Sequence, residues 1–164
     1  MKAKQPLKTD ARPMHISLSY AMDDADSLLN RARQAEYDAL DVDLNWPKMK
    51  LIATLAEAGD EGMSLTDLAK YCIRELSTVS SLLSKLENAG FVMRTSGKKR
   101  ERCRFVLTEQ GRDLFFNRVR HSSAGMFFDT LTEEEQTELL TLLQKLIANG
   151  KEMLGIDFVP KFLQ

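Results

Sequence analysis

The segment from Ser64 to Thr108, SLTDLAKYCIRELSTVSSLLSKLENAGFVMRTSGKKRERCRFVLT, limits the fold more than any other part of the chain. Apolar residues recur there at helical spacing twice in short succession, first at Leu65, Leu68, Ala69 and Cys72, then at Val79, Leu82, Leu83 and Leu86. Ser64 and Asp67 stand at capping-box positions, and Met63 and Leu68 at the positions of a hydrophobic staple. A turn is expected near Ile73 to Glu75, and Gly90 falls where a helix ends on a left-handed residue. Two strand-like runs follow, Phe91 to Arg94 and Cys103 to Leu107, joined by Ser96-Gly97-Lys98-Lys99-Arg100-Glu101. Two short helices and a hairpin with a basic tip place a compact helical unit beside a positively charged finger.

That order is the order of a winged helix-turn-helix, and the fold class expected is mainly α with a small β-hairpin wing. The net charge is only −1, so any attraction for nucleic acid has to come from local clustering. Between Arg94 and Arg104 the cations Arg94, Lys98, Lys99, Arg100, Arg102 and Arg104 face a single acid, Glu101. From Ile16 to Asp43 the balance reverses, with Asp23, Asp24, Asp26, Glu36, Asp38, Asp41 and Asp43 against Arg31 and Arg33. One face is suited to phosphate and another is kept away from it.

Outside this segment the chain reads as helical. Residues 1–13 are polar, contain Pro6 and Pro13, and are expected to form an arm. Leu18, Met22, Ala25, Leu28, Leu29, Ala32 and Ala35 form a helical stripe with an acidic opposite face. Asn45-Trp46-Pro47 opens a further helix, with Asn45 as cap and Pro47 in the first turn; Met49, Ile52, Leu55 and Ala56 face inward and Gly59 to Gly62 end it. Thr108 is expected to cap a helix running to about Phe128, and Thr132 with Glu135 to box the start of a leucine-dense helix through Met153. The domain division follows: 14–44 and 109–154 a helical dimerisation region, 45–108 the winged helix-turn-helix lobe, and 155–164 an apolar tail expected to dock.

Composition excludes several classes. With 43% hydrophobic and 29% charged residues the chain is a globular domain of ordinary size. No apolar run reaches a membrane span, and MKAKQPLKTDARP lacks the apolar stretch of a signal peptide, so a cytoplasmic protein with reduced thiols is expected. No Ser/His or Cys/His constellation, glycine-rich phosphate loop or metal-ligand spacing is present, so neither enzyme chemistry, metal nor cofactor is expected. His15 and His121 are too few to argue for metal sensing. Cys72 reads as a core thiol, whereas Cys103, between Arg102 and Arg104, has cations that favour thiolate and a redox role.

With Val79, Leu82, Leu83 and Leu86 inward, the second helix turns Ser77, Ser81, Ser84 and Asn88 outward, with Thr78, Ser80 and Lys85 on the flanks. In a helix-turn-helix this second helix enters the major groove. Ser77, Thr78, Ser80, Ser81, Ser84 and Lys85 are therefore the candidate DNA contacts, and small hydroxyls allow close approach to phosphates or bases. No Arg faces outward in mid-helix, so Lys85 is the best base-reading candidate. Lys98, Lys99, Arg100 and Arg102 are the wing candidates for the minor groove or its flanking phosphates.

From about residue 16 to 154 the chain resembles the MarR (multiple antibiotic resistance) family of transcriptional regulators. The resemblance rests on Leu44 to Ile52, on Leu65-Thr66-Asp67-Leu68-Ala69, and on Ser77-Thr78-Val79-Ser80-Ser81-Leu82-Leu83. Lys85 to Val92 and Leu107-Thr108-Glu109-Gln110-Gly111 complete it, in order and near the family spacing. It implies an obligate homodimer held by the first and last helices, a pseudo-palindromic double-stranded operator, and repression relieved by a small molecule. Leu18, Met22, Leu139, Leu143 and Ile147 are then the expected interface residues. Tyr20, Trp46, Met49, Phe115, Phe116 and Phe127 are the candidates for an apolar or aromatic effector's pocket, with Met126 and Phe128 nearby.

Two departures from the family pattern stand out. Its wing carries D-R-R or D-x-R, but Lys99, Arg100 and Glu101 occupy those positions here, so Arg100 or Arg102 has to replace the missing Arg. Arg74 stands where the family has an apolar turn residue, with Glu75 able to pair with it or cap the next helix. These departures keep a second reading open: a winged-helix protein-interaction module that has lost operator recognition.

Overall fold

The computed structural model describes residues 13–95, 103–119 and 121–157. Its order is α1 (Met14–Asp38), α2 (Trp46–Ala58), a 3-10 turn (Gly59–Glu61), β1 (Met63–Ser64), α3 (Leu65–Cys72) and α4 (Leu76–Asn88). Then come β2 (Val92–Thr95), β3 (Arg104–Leu107), α5 (Glu109–Asp113), a π turn (Leu114–Arg118), α6 (Ser122–Phe128) and α7 (Glu133–Met153). The protein is therefore mostly helical with a small antiparallel sheet, as the sequence indicates.

The expected start signals act locally. Asn45 accepts a hydrogen bond from the Lys48 amide at 3.1 Å, and Thr132 and Glu135 form a complete capping box at α7. Ser64 takes the Asp67 amide at 3.1 Å, but the Asp67 carboxylate bonds the Ser64 hydroxyl instead of its backbone N–H. The box is thus half-formed at α3; an Asp side chain is one methylene shorter than the Glu that normally reaches back. Gly90 ends α4 with φ 77°, and the Phe91 amide reaches back to the Leu86 carbonyl at 3.0 Å.

The sheet holds one strand more than the hairpin predicts. Its order is β1-β3-β2, with Met63 opposite Phe105 and Val92 opposite Leu107. A strand of two residues is too short to announce itself through alternation, so sequence reading sees only the helix cap there. β1 ties the start of α3 to the base of the wing. The core lies between α2, α3, α4 and this sheet: Met49, Ile52, Leu68 and Val79 show no exposure, and Leu55, Leu83 and Leu86 are as well hidden.

Past the sheet, Thr108 caps α5 and also donates to the Gly90 carbonyl at 2.6 Å. Gly111 lies against Phe91 so closely that a Cβ would strike the Phe91 carbonyl, the physical content of a glycine three residues after the cap. The single helix expected from Thr108 to Phe128 is broken. The Val119 amide bonds the Leu114 carbonyl, five residues back, at 2.9 Å. That π spacing brings Leu114 and Val119, both buried, onto the same face, where α-helical spacing would set them about 140° apart. His121 then adopts φ 54° and α6 restarts, its Ser123 amide and hydroxyl both donating to Glu36 on α1 at 3.1 and 2.6 Å.

α1 and α7 are the exposed elements. On α1 only Leu29 and Tyr37 are buried, while Leu18 (56%), Met22 (48%) and Leu28 (58%) stand in solvent. On α7 no residue is buried, and Leu140, Leu142, Leu146 and Ile147 are each at least half exposed. Among the described residues no helix is long and apolar enough to cross a membrane.

Candidate nucleic-acid interface

α3 and α4 form the helix-turn-helix, and their connection explains how α4 comes to stand outward. Ile73 ends α3 in the left-handed region at φ 53°, with its own amide and that of Arg74 reaching back to Lys70 and Ala69. Glu75 takes the N-cap position of α4 without making a side-chain cap bond; Arg74 beside it is exposed. Val79, Leu83 and Leu86 then anchor one side of α4 in the core, with Leu82 half-buried. That anchoring leaves Ser77, Thr78, Ser80, Ser81, Ser84 and Lys85 exposed together on the opposite side. The surface is small, hydroxyl-rich and open, with one cation toward its C-terminal end.

The base of the wing lies directly beside this surface, and its charges are not all available. Arg94 donates to both carboxylate oxygens of Glu87 on α4, at 2.8 and 3.0 Å, and its guanidinium lies 5.3 Å from the Phe105 ring centre. The paired Glu87 raises the Arg94 pKa above its ordinary value, so Arg94 is a fixed cation whose field is largely cancelled. Arg104 bonds the Glu61 and Gly62 carbonyls at 2.6 and 2.7 Å, pinning β3 to the turn before α3. Two cations counted in the basic cluster thus set the wing's attachment. Lys98, Lys99, Arg100 and Arg102 lie outside the described residues. Cys103 is exposed just before β3, while Cys72 is buried and its thiol pKa is pushed up by burial.

The aromatic candidates fall in several places. Trp46 lies under the Arg33 guanidinium, 3.7 Å from the ring centre, and Met49 is wholly enclosed in the core. Phe115 packs against the core and meets Phe116 and His121 edge-on, at 5.0 and 5.6 Å between ring centres. Phe116 is 63% exposed, Tyr20 lies exposed on α1, and Phe127 is edge-on to Phe128. A cleft of about 530 Å³ opens in the crook of α6 and α7, lined by Phe128, Leu139, Leu140 and Leu143 with Glu133, Gln136 and Thr137. It takes in none of Tyr20, Trp46, Met49, Phe115, Phe116 and Phe127. Of the expected interface residues, Leu18, Met22 and Ile147 are exposed, and Leu139 and Leu143 half-buried on this cleft. Among the described residues no three His, Cys, Asp or Glu converge as a metal site.

The pattern of this lobe recurs in known proteins. Residues 44–103 match the model of the MarR family. The chain is 31% identical over 101 residues to the HTH-type transcriptional regulator SarZ of Staphylococcus epidermidis, covering 60% of this chain and 68% of SarZ. The chain belongs to the MarR family.

Another relative of this MarR-family chain is the HTH-type transcriptional regulator Hpr of Halalkalibacterium halodurans, 26% identical over 106 residues. That match takes in 62% of this chain and spans about half of Hpr, 55% of its length. The fold agrees with the organohalide-sensing transcriptional regulator RdhR, solved ligand-free and bound to 2,4-dichlorophenol. Against the ligand-free form the TM-score is 0.76 at 22% identity, covering 89% of this chain and 86% of that one. A mutant of E. coli MarR complexed with operator DNA gives a TM-score of 0.72 at 20% identity, covering 84% and 99% of the two chains. The family is one of transcriptional regulators, and the fold of this chain is the winged helix-turn-helix fold of that family.

Proposed function

We propose that this MarR-family regulator is a cytoplasmic homodimer that binds a pseudo-palindromic operator and represses transcription until a small apolar or aromatic effector releases it. The observation that carries the DNA reading is the geometry of α4: three buried aliphatic anchors on one side, six exposed candidates on the other, and the wing base alongside. Major-groove binding asks for such a helix, held rigidly from behind and slender in front. Because the outward face bears hydroxyls and Lys85 but no Arg, phosphate contacts and groove fit supply much of the affinity. Dimerisation is supported by the open leucines of α1 and α7, and an effector site by the cleft of about 530 Å³ that Phe128, Leu139, Leu140 and Leu143 line.

The deciding experiment is footprinting of the purified protein on the DNA upstream of its own gene and its neighbours. A protected site with two half-sites about one helical turn apart is expected, with affinity falling steeply as salt rises. Absence of any protected site would remove operator recognition from the proposal.

A second reading has its own support. Arg94 and Arg104 are engaged within the protein, and Glu75 stands at the start of α4, where an acid repels phosphate. These features suit a winged-helix interaction module that keeps the fold without reading DNA. That reading predicts weak binding indifferent to sequence, together with a defined protein partner.

A further inference from the structure

A cleft of about 660 Å³ lies between the helix-turn-helix and the end of α7. On one side it is walled by Ile73, Glu75, Leu76 and Thr78, and on the other by Leu154 and Ile156. Its surface is unlike the rest of the α4 face. Ile73 and Leu76 are about half exposed, at 49% and 48%, and Leu154 is 72% exposed. Ile73 is also a β-branched residue held at φ 53°, a conformation that costs it more than Asn or Gly. Half out of the core, its side chain contributes chiefly an apolar wall to the cleft. Clustered exposed apolar side chains of this kind mark a surface that something covers.

The chain itself leads into this cleft. After α7 the Gly155 amide bonds Glu152 at 3.1 Å and the Ile156 amide bonds Lys151 at 2.8 Å, reversing the backbone. Ile156 thereby becomes part of the cleft wall, half-buried, and Asp157 after it is exposed. The residues beyond are Phe158-Val159-Pro160-Lys161-Phe162-Leu163-Gln164, mostly large and apolar, as are Ile73, Leu76, Leu154 and Ile156 of the lining. Extended chain covers roughly 3.3 Å per residue, so a segment that follows Asp157 has the length to cross a cleft lined by Ile156. Tethering gives any such segment an effective concentration on the order of millimolar.

We propose that residues 158–164 of this chain occupy the cleft in cis and act as an intramolecular competitor of DNA. The first residues of the second helix are those that meet base edges, and Thr78 belongs both to that face and to the cleft. A tail seated on Ile73 and Leu76 keeps the start of α4 out of the groove. The inhibitory consequence rests on the DNA-binding reading; the docking does not.

Hydrogen exchange on the whole protein tests the docking without DNA, comparing the full chain with one ending at Asp157. Amides of residues 73–78 should exchange several-fold faster in the shortened chain, and the synthetic peptide FVPKFLQ at millimolar concentration should restore their protection. Ile73→Asn in the full chain, which suits the left-handed conformation but removes the apolar wall, should reproduce the faster exchange. In parallel, a labelled 30-base-pair duplex of mixed sequence should bind the shortened chain roughly three- to tenfold more tightly, as expected when the competent state is a minor population. Unchanged exchange in the shortened chain overturns the docking, whether or not DNA binds. Protection that grows with protein concentration assigns the cleft to a second copy's tail and overturns the cis arrangement. Faster exchange with unchanged duplex affinity overturns the inhibition. Should neither chain bind the duplex at low salt, the DNA-binding reading fails while the exchange result still decides the docking.

Discussion

Ile73 and Cys72 sit side by side at the end of α3, and each makes a measurable property hinge on one side chain. In the chain ending at Asp157, where no tail covers it, replacing Ile73 by Asn relieves a left-handed β-branched residue, so that variant is expected to be more stable than its parent by about 1 kcal/mol. The check is urea unfolding, with a higher midpoint at unchanged slope. Cys72 contributes to the alkaline limb of stability. Burial raises its thiol pKa, and burial likewise raises the phenol of Tyr37. Below about pH 8.5 the folded and unfolded chains both hold the thiol proton. Above it the unfolded chain ionises first and binds fewer protons, so stability falls with rising pH until the folded thiol ionises too. Cys72→Ala should flatten the part of that fall nearest pH 9, leaving the steeper loss near pH 10 and above, where Tyr37 contributes. An unchanged pH profile would show that the thiol plays no part.

Residue by residue, the sequence is most legible where one side chain answers to its near neighbours. Asn45, Thr108 and Thr132 cap as expected because their bonds close within three residues. Tyr37 and Leu44, both buried, are not legible in that way. They lie where α1 turns onto α2, and their burial depends on the angle between two helices rather than on either helix's periodicity.

Among the elements, α1 and α7 show the same limit from the other side. Their stripes are plain in the sequence, yet Leu142 (50%) and Leu146 (55%) remain in solvent in the single chain, one turn apart on α7. Covering a leucine contributes about 1.5 kcal/mol or more, so two from each of two protomers amount to roughly 6 kcal/mol. The double variant Leu142→Glu/Leu146→Glu is therefore expected to weaken self-association by about four orders of magnitude. Light scattering at micromolar concentration should report half the mass, with cooperative unfolding of the α2–α4 lobe retained. A dimer of undiminished mass would place the interface elsewhere. The broken helix between Asp113 and Ser122 was illegible for a related reason. No proline or glycine marks the break; it follows from the need to bury both Leu114 and Val119, which only contacts distant in sequence create.

At the scale of the whole molecule, a net charge of −1 becomes useful only through its distribution. The structure withdraws Arg94 and Arg104 from the basic cluster, pairing the first with Glu87 and the second with backbone carbonyls. Lys98→Ala/Lys99→Ala/Arg100→Ala should lower the slope of log affinity against log salt by about 2–3 per protomer, since each lost phosphate contact removes roughly 0.9. Arg94→Ala should change that slope by well under 1, because Glu87 already offsets its charge. Titrations on one duplex at several salt concentrations distinguish the two. Equal effects would mean that Arg94 leaves Glu87 on binding.

Local chemistry sufficed for α2, α3, α4, the hairpin and the family they identify, because caps, glycines and helical spacing act over a few residues. It also sufficed to gather the candidate contacts on one side of α4, since a helix with Val79, Leu83 and Leu86 inward has no other way to face. Contacts between distant segments decided the rest. β1 exists only because β3 lies beside it, and Arg104 is spent on a turn some forty residues earlier. The cleft between Ile73 and Ile156 joins residues that no local pattern relates. Spacing along the chain sets which side of a helix is apolar; packing across the chain sets whether that side is covered, and by what.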